Sequence, residues 1–282
     1  MMQPLNLAVG ETRTDRGPID QSRGILTYRH FDGSLTDTYY SSIKSNKKII
    51  SERYARDCSL VDAALDLQYN VACEFFYLID HDPYAEISEA NHVLRPCFQN
   101  NLVALLSAKI NTEMGLYSIA RPTLRMIFES LMISKFCSAN HESETYDKWI
   151  DGKVVYFTNG VIKKIKKPNS GQFSEFWSLI SEFTHSSIYA MQPDTCIERV
   201  NNEIDLNFLL IHMLSECNYH LLNSHLFTPS LKYYQSRSRG AEKLQPWRKE
   251  LTAIYSELKK QYNKPAKQFI RDFKSTWEVK NA

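Results

Sequence analysis

This sequence predicts a multi-helix, all-α bundle, and three observations carry the prediction. Apolar residues recur at helical spacing through seven long segments. Glycine is scarce, at 9 of 282 residues, and there are 10 prolines, too few of either for a fold built on many turns. Two of those prolines, Pro246 and Pro265, stand where apolar-periodic segments open, the first-turn position at which a missing N–H costs nothing. With 43% of residues hydrophobic and 23% charged, the chain has enough apolar material for a sizeable core.

Residues 1–24 are polar and aperiodic, with Gly10, Gly17 and Pro18, and are expected to form an extended or disordered lead. A β-hairpin is expected over 25–41, because Ile25–Phe31 and Ser34–Tyr40 are β-prone and flank Asp32-Gly33, a pair suited to the positive φ of a tight turn. The helical bundle proper is expected over 44–230. Its first helix, Ser59–Ile79, sets Leu60, Val61, Ala64, Leu65, Ala72, Phe75, Phe76 and Ile79 on one side, with Asp62, Asp66, Asn70 and Glu74 opposite. Further helices are expected at Ala85–Ile110, Thr112–Cys137, Gln172–Thr184 and Glu203–Phe227. A second hairpin is expected where Asn159-Gly160 joins Val154–Thr158 to Val161–Ile165. Residues 231–282 form a basic C-terminal segment with helices at Pro246–Tyr262 and Pro265–Glu278. On the last helix Phe269, Ile270, Phe273 and Trp277 make a docking stripe, with Lys267, Arg271 and Lys274 mostly opposite.

The net charge of +2 hides an asymmetry. Residues 231–282 hold 13 Lys or Arg against 5 Asp or Glu, while the first 230 residues hold 21 against 27. A basic tail on an acidic body suits a nucleic acid, an acidic partner, or a tail folded back on the body. No stretch approaches the roughly 20 apolar residues that cross a bilayer, so no membrane is expected. The N-terminus shows no basic segment followed by an apolar run, so a secretory signal is not expected either. Six widely spaced cysteines without a CxxC pair fit a reducing cytoplasm. Phosphate-cradling glycine loops, the serine-hydrolase elbow, HExxH and paired Cys/His zinc spacing are all absent. No cofactor is therefore expected, and catalysis is left open.

The most distinctive segment runs from Leu116 to Glu129. Arg121, Arg125 and Glu129 recur every four residues and share a helical face with Met114, Met132 and Phe136. Pro122 is expected to bend that helix or start it afresh. Charges covered by apolar neighbours need partners, and Glu129 is within reach of Arg125. One reading is a buried salt bridge that orients two helices. The functional reading has Arg121 and Arg125 grip a phosphate or carboxylate beside a titratable His185.

Ala120-Arg121-Pro122 followed by Glu129, with Leu179-Ile180-Ser181-Glu182-Phe183-Thr184-His185 downstream, resembles a group of bacterial helical domains often compared with the HEPN superfamily. The resemblance spans roughly residues 60–225 and implies a helical domain engaging a nucleotide or RNA, of defence or toxin type, through Arg121, Glu129 and His185. The chain departs from HEPN ribonucleases, which carry an Arg shortly before a His on a bundle helix. Its candidate pair, Arg23 and His30, falls on a predicted strand, so RNA cleavage by that mechanism is not expected.

Two E-x-x-H pairs suggest a competing chemistry. Glu89/His92 and Glu182/His185 each place a Glu and a His on one helical face, and with Glu129 and Asp62 or Asp66 they can be arranged as a di-metal carboxylate site. Along Glu203–Phe227 a narrow polar strip of Asp205, His212, Glu216, His220 and Asn223 reads as the helix's wet edge, the alternative being a metal site or hydrogen-bond ladder built from His212, Glu216 and His220 at four-residue steps. Basic clusters occur at Lys163–Lys167, at Arg237–Lys249 and at Lys259–Lys274, interleaved with aromatics such as Trp247 and Tyr255. Such clusters bind nucleic acid through phosphate contacts and base stacking, or form a solvated helix surface. A third class of function is a structural subunit that forms a homo-oligomer through its apolar helices.

Overall fold

Helical periodicity, rather than local β preference, decides the architecture. The computed structural model describes residues 35–81, 89–166, 169–182, 197–227 and 240–277. Its α-helices are α1 Leu35–Arg53, α2 Ala55–Asp80, α3 Glu89–Glu113, α4 Tyr117–Ala139, α5 Glu144–Ile150, α6 Asn169–Glu182, α7 Ile197–Leu221, α8 Gly240–Leu258 and α9 Lys264–Lys274. Single π turns at Phe157–Val161 and Leu222–Phe227 and short 3-10 turns at Ile162–Lys164 and Lys259–Gln261 link them. The described residues hold no β-strand, and no helix among them is long and apolar enough to cross a membrane.

Both expected hairpins give way to helix. The lead and the strand Ile25–Phe31 lie outside the described residues, but the second strand does not form, because Leu35–Tyr40 opens α1. The spacing of Ile43, Asn46, Ile50 and Tyr54 explains this: it puts Ile50 and Tyr54 into the core on one helical face, and packing overrides β propensity. Val154–Ile165 fails as a hairpin for a different reason. Gly160 does not take the positive φ that a two-residue hairpin turn needs, and Val161 and Ile162 are both buried, which alternation forbids. Gly160 is small for another purpose. A Cβ there would stand 3.3 Å from Val155 Cγ1, and the Gly160 carbonyl accepts a hydrogen bond from Thr145 Oγ1 at 3.0 Å.

Between α3 and α4, Gly115 takes φ 77°, and its N–H and that of Leu116 bond back to the Thr112 and Asn111 carbonyls, the paired closure of a Schellman turn. Asn46 of α1 packs where a Gly115 Cβ would stand. α4 then runs through Pro122 without ending, since that ring points to solvent.

At the centre is α7. It packs into the angle between α3 and α4, with α2, α8 and α9 on its other sides. Its residues from 211 to 218 are all buried, so its polar groups meet protein rather than water. Ser215 and Asn218 join Gln68, Asn101 and Tyr255 in a polar spine through four helices. In it Gln68 Nε2 donates to Ser215 Oγ at 2.8 Å, and Asn218 Nδ2 to Gln68 Oε1 at 3.3 Å. The basic tail folds back on this body. Asn263 caps α9 by accepting the Ala266 N–H, and Phe269, Ile270, Phe273 and Trp277 are buried as the docking stripe requires. Phe269 stacks on Phe176 of α6 with centroids 4.4 Å apart, and Phe173 meets Trp277 at 5.1 Å. Buried aromatics of this kind each contribute about 1.5–3 kcal/mol.

Candidate functional site

The two arginines of α4 have different surroundings. Arg121 is 1% exposed. Its Nη2 donates to Glu203 Oε2 of α7 at 2.6 Å, and its Nε to Asn207 Oδ1 one turn further on. Arg125 lies one turn along, at the surface. Its Nε donates to Glu129 Oε1 at 2.9 Å, and its guanidinium sits 5.1 Å from the ring centroid of Trp177 on α6. Trp177 Nε1 also donates to Glu129 Oε1, at 3.0 Å. A grip by both arginines on one ligand is thus corrected: a charge this deeply buried must be neutralised in place, and Glu203 does so. The expected Arg125–Glu129 pair is present. His185 lies outside the described residues.

The E-x-x-H arrangement fares similarly. Glu89 and His92 are exposed near the start of α3, whereas Glu129 is engaged with Arg125 and Trp177. Asp62 binds Lys109 Nζ at 2.8 Å, together with Glu113, instead of joining them. No group of three metal-ligating side chains occurs among the described residues. Glu182 ends α6, and its side chain, like His185, is outside what the structure describes.

The α7 strip is not a wet edge. His212 is 3% and Glu216 1% exposed, and only Asp205, His220 and Asn223 are partly open. Glu216 lies beneath two lysines: Lys259 Nζ is 2.7 Å from its Oε1, and Lys274 Nζ binds the same atom.

Above that pair opens a cleft of about 480 Å³. Tyr219, His220 and Asn223 enter it from the C-terminal end of α7 and the π turn that follows. Gln245, Arg248, Lys249 and Thr252 come from α8, and Lys274 from the last turn of α9. The α8 positions follow helical i, i+3, i+4, i+7 spacing, which is why one wall carries them all. Arg248 Nη2 donates to Asn223 Oδ1 at 2.7 Å, which ties α8 to α7 across the cleft. Tyr219 stacks on Tyr255 with centroids 5.9 Å apart. Burial pushes the Tyr219 phenol above its ordinary pKa, and a hydrogen bond with Arg248 pulls it partly back.

Among its described residues the cleft lining carries an arginine, two lysines and a histidine, and no carboxylate. Lys274 stands in the last turn of α9, where a cation offsets the negative end of the helix dipole. Arg248 and Lys249 project from the middle of α8. The sequence groups Arg248 and Lys249 as basic and sets His220 and Asn223 on one polar strip, but it gives no sign of Tyr219, and the meeting of these residues with α8 across 25 residues or more has no local signature. Searches against protein-family models, curated proteins and solved structures find no match for this chain.

Proposed function

We propose that the protein binds a phosphate-bearing ligand, a nucleotide or RNA, in the cleft formed by α7, α8 and α9. The observation that carries this reading is the gathering of Arg248, Lys249, Lys274 and His220 on one cleft, with no carboxylate among its described lining residues. Its volume lies in the range of small-ligand sites. The Arg248 guanidinium offers forked donors for phosphate oxygens, and Tyr219 offers a ring face against which a base stacks. The HEPN-like resemblance belongs to the same proposal, as does a cytoplasmic setting, which the free thiols at Cys58, Cys73, Cys97, Cys137 and Cys217 support.

The test is fluorescence anisotropy with a labelled single-stranded RNA and a labelled nucleoside triphosphate. Expected is binding of at least one probe that weakens as salt rises. Arg248→Ala with Lys249→Ala should weaken it at least about tenfold. Absence of binding by both probes at low salt, or equal binding by the double variant, would overturn the reading.

A further inference from the structure

Among the described residues, exposed large apolar side chains are scattered over α1, α2 and the link at Val154 and Tyr156 but gathered on the outer face of the α3–α4 hairpin. Val103, Leu106 and Ile110 stand at i, i+3 and i+7 on α3, and are 70%, 43% and 37% exposed. Ile119 and Met126 stand two turns apart on α4, at 49% and 55%. They face away from α7, which occupies the inner side of the hairpin.

What singles this face out is its lack of charge. Every exposed side chain from Gln99 to Met126 is uncharged, although the chain as a whole is 23% charged. The charged residues of that stretch are all turned elsewhere. Lys109 and Glu113 bind each other and Asp62, Arg121 binds Glu203, and Arg125 binds Glu129 beside Trp177.

We infer that this face is where a second copy of the chain docks, pairing two α3–α4 hairpins into a four-helix layer. A two-fold interface sets a patch against itself, so any charge on it meets its own kind; an uncharged face escapes that repulsion. A partner recognised by acidic or basic groups would find nothing here to pair with. The face is roughly 20 Å by 20 Å, from the helical rise and the spacing of packed helices. Two such faces bury on the order of 800 Å² in all, less than a permanent dimer needs, so association is weak, reversible and concentration-dependent. The face shares no residue with the basic cleft, so the inference stands apart from the proposed ligand.

Sedimentation of the full-length protein from low to high micromolar concentration tests this. Expected is a shift from monomer to dimer, with Leu106→Glu and Met126→Glu each weakening dimerisation at least about tenfold. Both positions are exposed, so helicity by circular dichroism should be unchanged. A Met126→Cys variant treated with a maleimide, its adduct at position 126 quantified by peptide mass spectrometry, should label more slowly as protein concentration rises. A monomer that labels quickly at every concentration overturns the inference and leaves the face to a different protein. A monomer that labels slowly at every concentration also overturns it, and points to residues 1–34 of the same chain as the cover. A dimer indifferent to both glutamates places the association elsewhere and overturns it as well.

Discussion

Arg121 and Arg248 are both arginines that reach across to α7, yet their surroundings assign them opposite work. Arg121 is sealed between α4 and α7, where Glu203 accepts from its Nη2 and Asn207 from its Nε. Arg248 is half-buried on a cleft wall and meets the neutral amide of Asn223. The difference teaches that a cation's part is set by where its helix places it. Sealed against a buried carboxylate it is a strut; on an open cleft wall its head stays within reach of a ligand. The four-residue recurrence of Arg121, Arg125 and Glu129 that marks α4 in the sequence carries no information on that point.

Breaking the strut should have the largest effect. Arg121→Met leaves Glu203 buried without its cation, which typically costs about 3–5 kcal/mol. Urea unfolding should show this loss, and removing both charges with Arg121→Met and Glu203→Leu should recover most of it. A double variant as unstable as the single one would mean that the arginine acts through packing rather than charge.

The cleft should answer in the reverse sense. Arg248→Ala with Lys249→Ala is expected to cost at least about tenfold in phosphate-ligand affinity and to lower the dependence of binding on salt, as two lost phosphate contacts should. Stability should change by less than about 1 kcal/mol, since both residues lie on a wall open to solvent. A large stability loss with unchanged affinity would exchange the roles of the two regions.

Glu216 sits between these extremes, a buried carboxylate whose two lysines are half-exposed, with side chains 40% and 34% accessible. Glu216→Gln should therefore cost less than loss of Arg121, about 1–2 kcal/mol, because Lys259 and Lys274 can turn to water. The same change removes the one negative charge bound to a cleft lysine, so ligand affinity should rise while stability falls. Thermal melts and anisotropy on one preparation would show both. A fall in both would mean that Glu216 positions Lys274 instead of restraining it.

How much of this was legible follows from how local each signal is. The helices that became α2, α3, α4, α6, α7, α8 and α9 announced themselves by periodicity, and Phe269, Ile270, Phe273 and Trp277 were recognisable as a docking stripe because a face is a local property. α1 was hidden by its β-prone opening, since the residues that commit it, Ile50 and Tyr54, lie beyond the segment that looks like a strand. Asn159-Gly160 misled because glycine serves close packing as readily as turns, and here it lies beside Val155 and Thr145. The Arg121–Glu203 pair spans 82 positions and the walls of the cleft come from three helices. Such meetings are decided by tertiary packing, which periodicity does not encode.

A third buried cation sharpens the comparison with the smallest expected effect. Lys135 of α4 is 6% exposed and faces no carboxylate. Its Nζ donates to the Ser275 carbonyl at the end of α9, at 2.9 Å, and lies 5.1 Å and 4.9 Å from the Phe273 and Trp277 ring centroids. Burial pulls its pKa from 10.5 to about 8, with Cys217 of α7 the one titrating group opposing this. Between those values the unfolded chain holds a proton that the folded chain has released, so stability rises with pH, by about 1 kcal/mol from pH 8 to 9. Cys58 and Cys137 act oppositely at higher pH. Burial pushes both thiols from 9.0 to about 12, so the stability they contribute below pH 9 is lost as pH climbs through that range. The thiols begin to act by pH 9 in wild type and variant alike, so the useful readout is the difference between the two. Across pH 8 to 9 the wild type should gain about 1 kcal/mol over Lys135→Met in urea unfolding, and Lys135→Met should be no less stable at pH 7 because a buried ammonium is costly to keep. If Lys135→Met is instead several kcal/mol weaker and the difference is flat in that window, the ammonium holds α9 as Glu203 holds Arg121, and aromatic rings with a helix-end carbonyl suffice to make a strut.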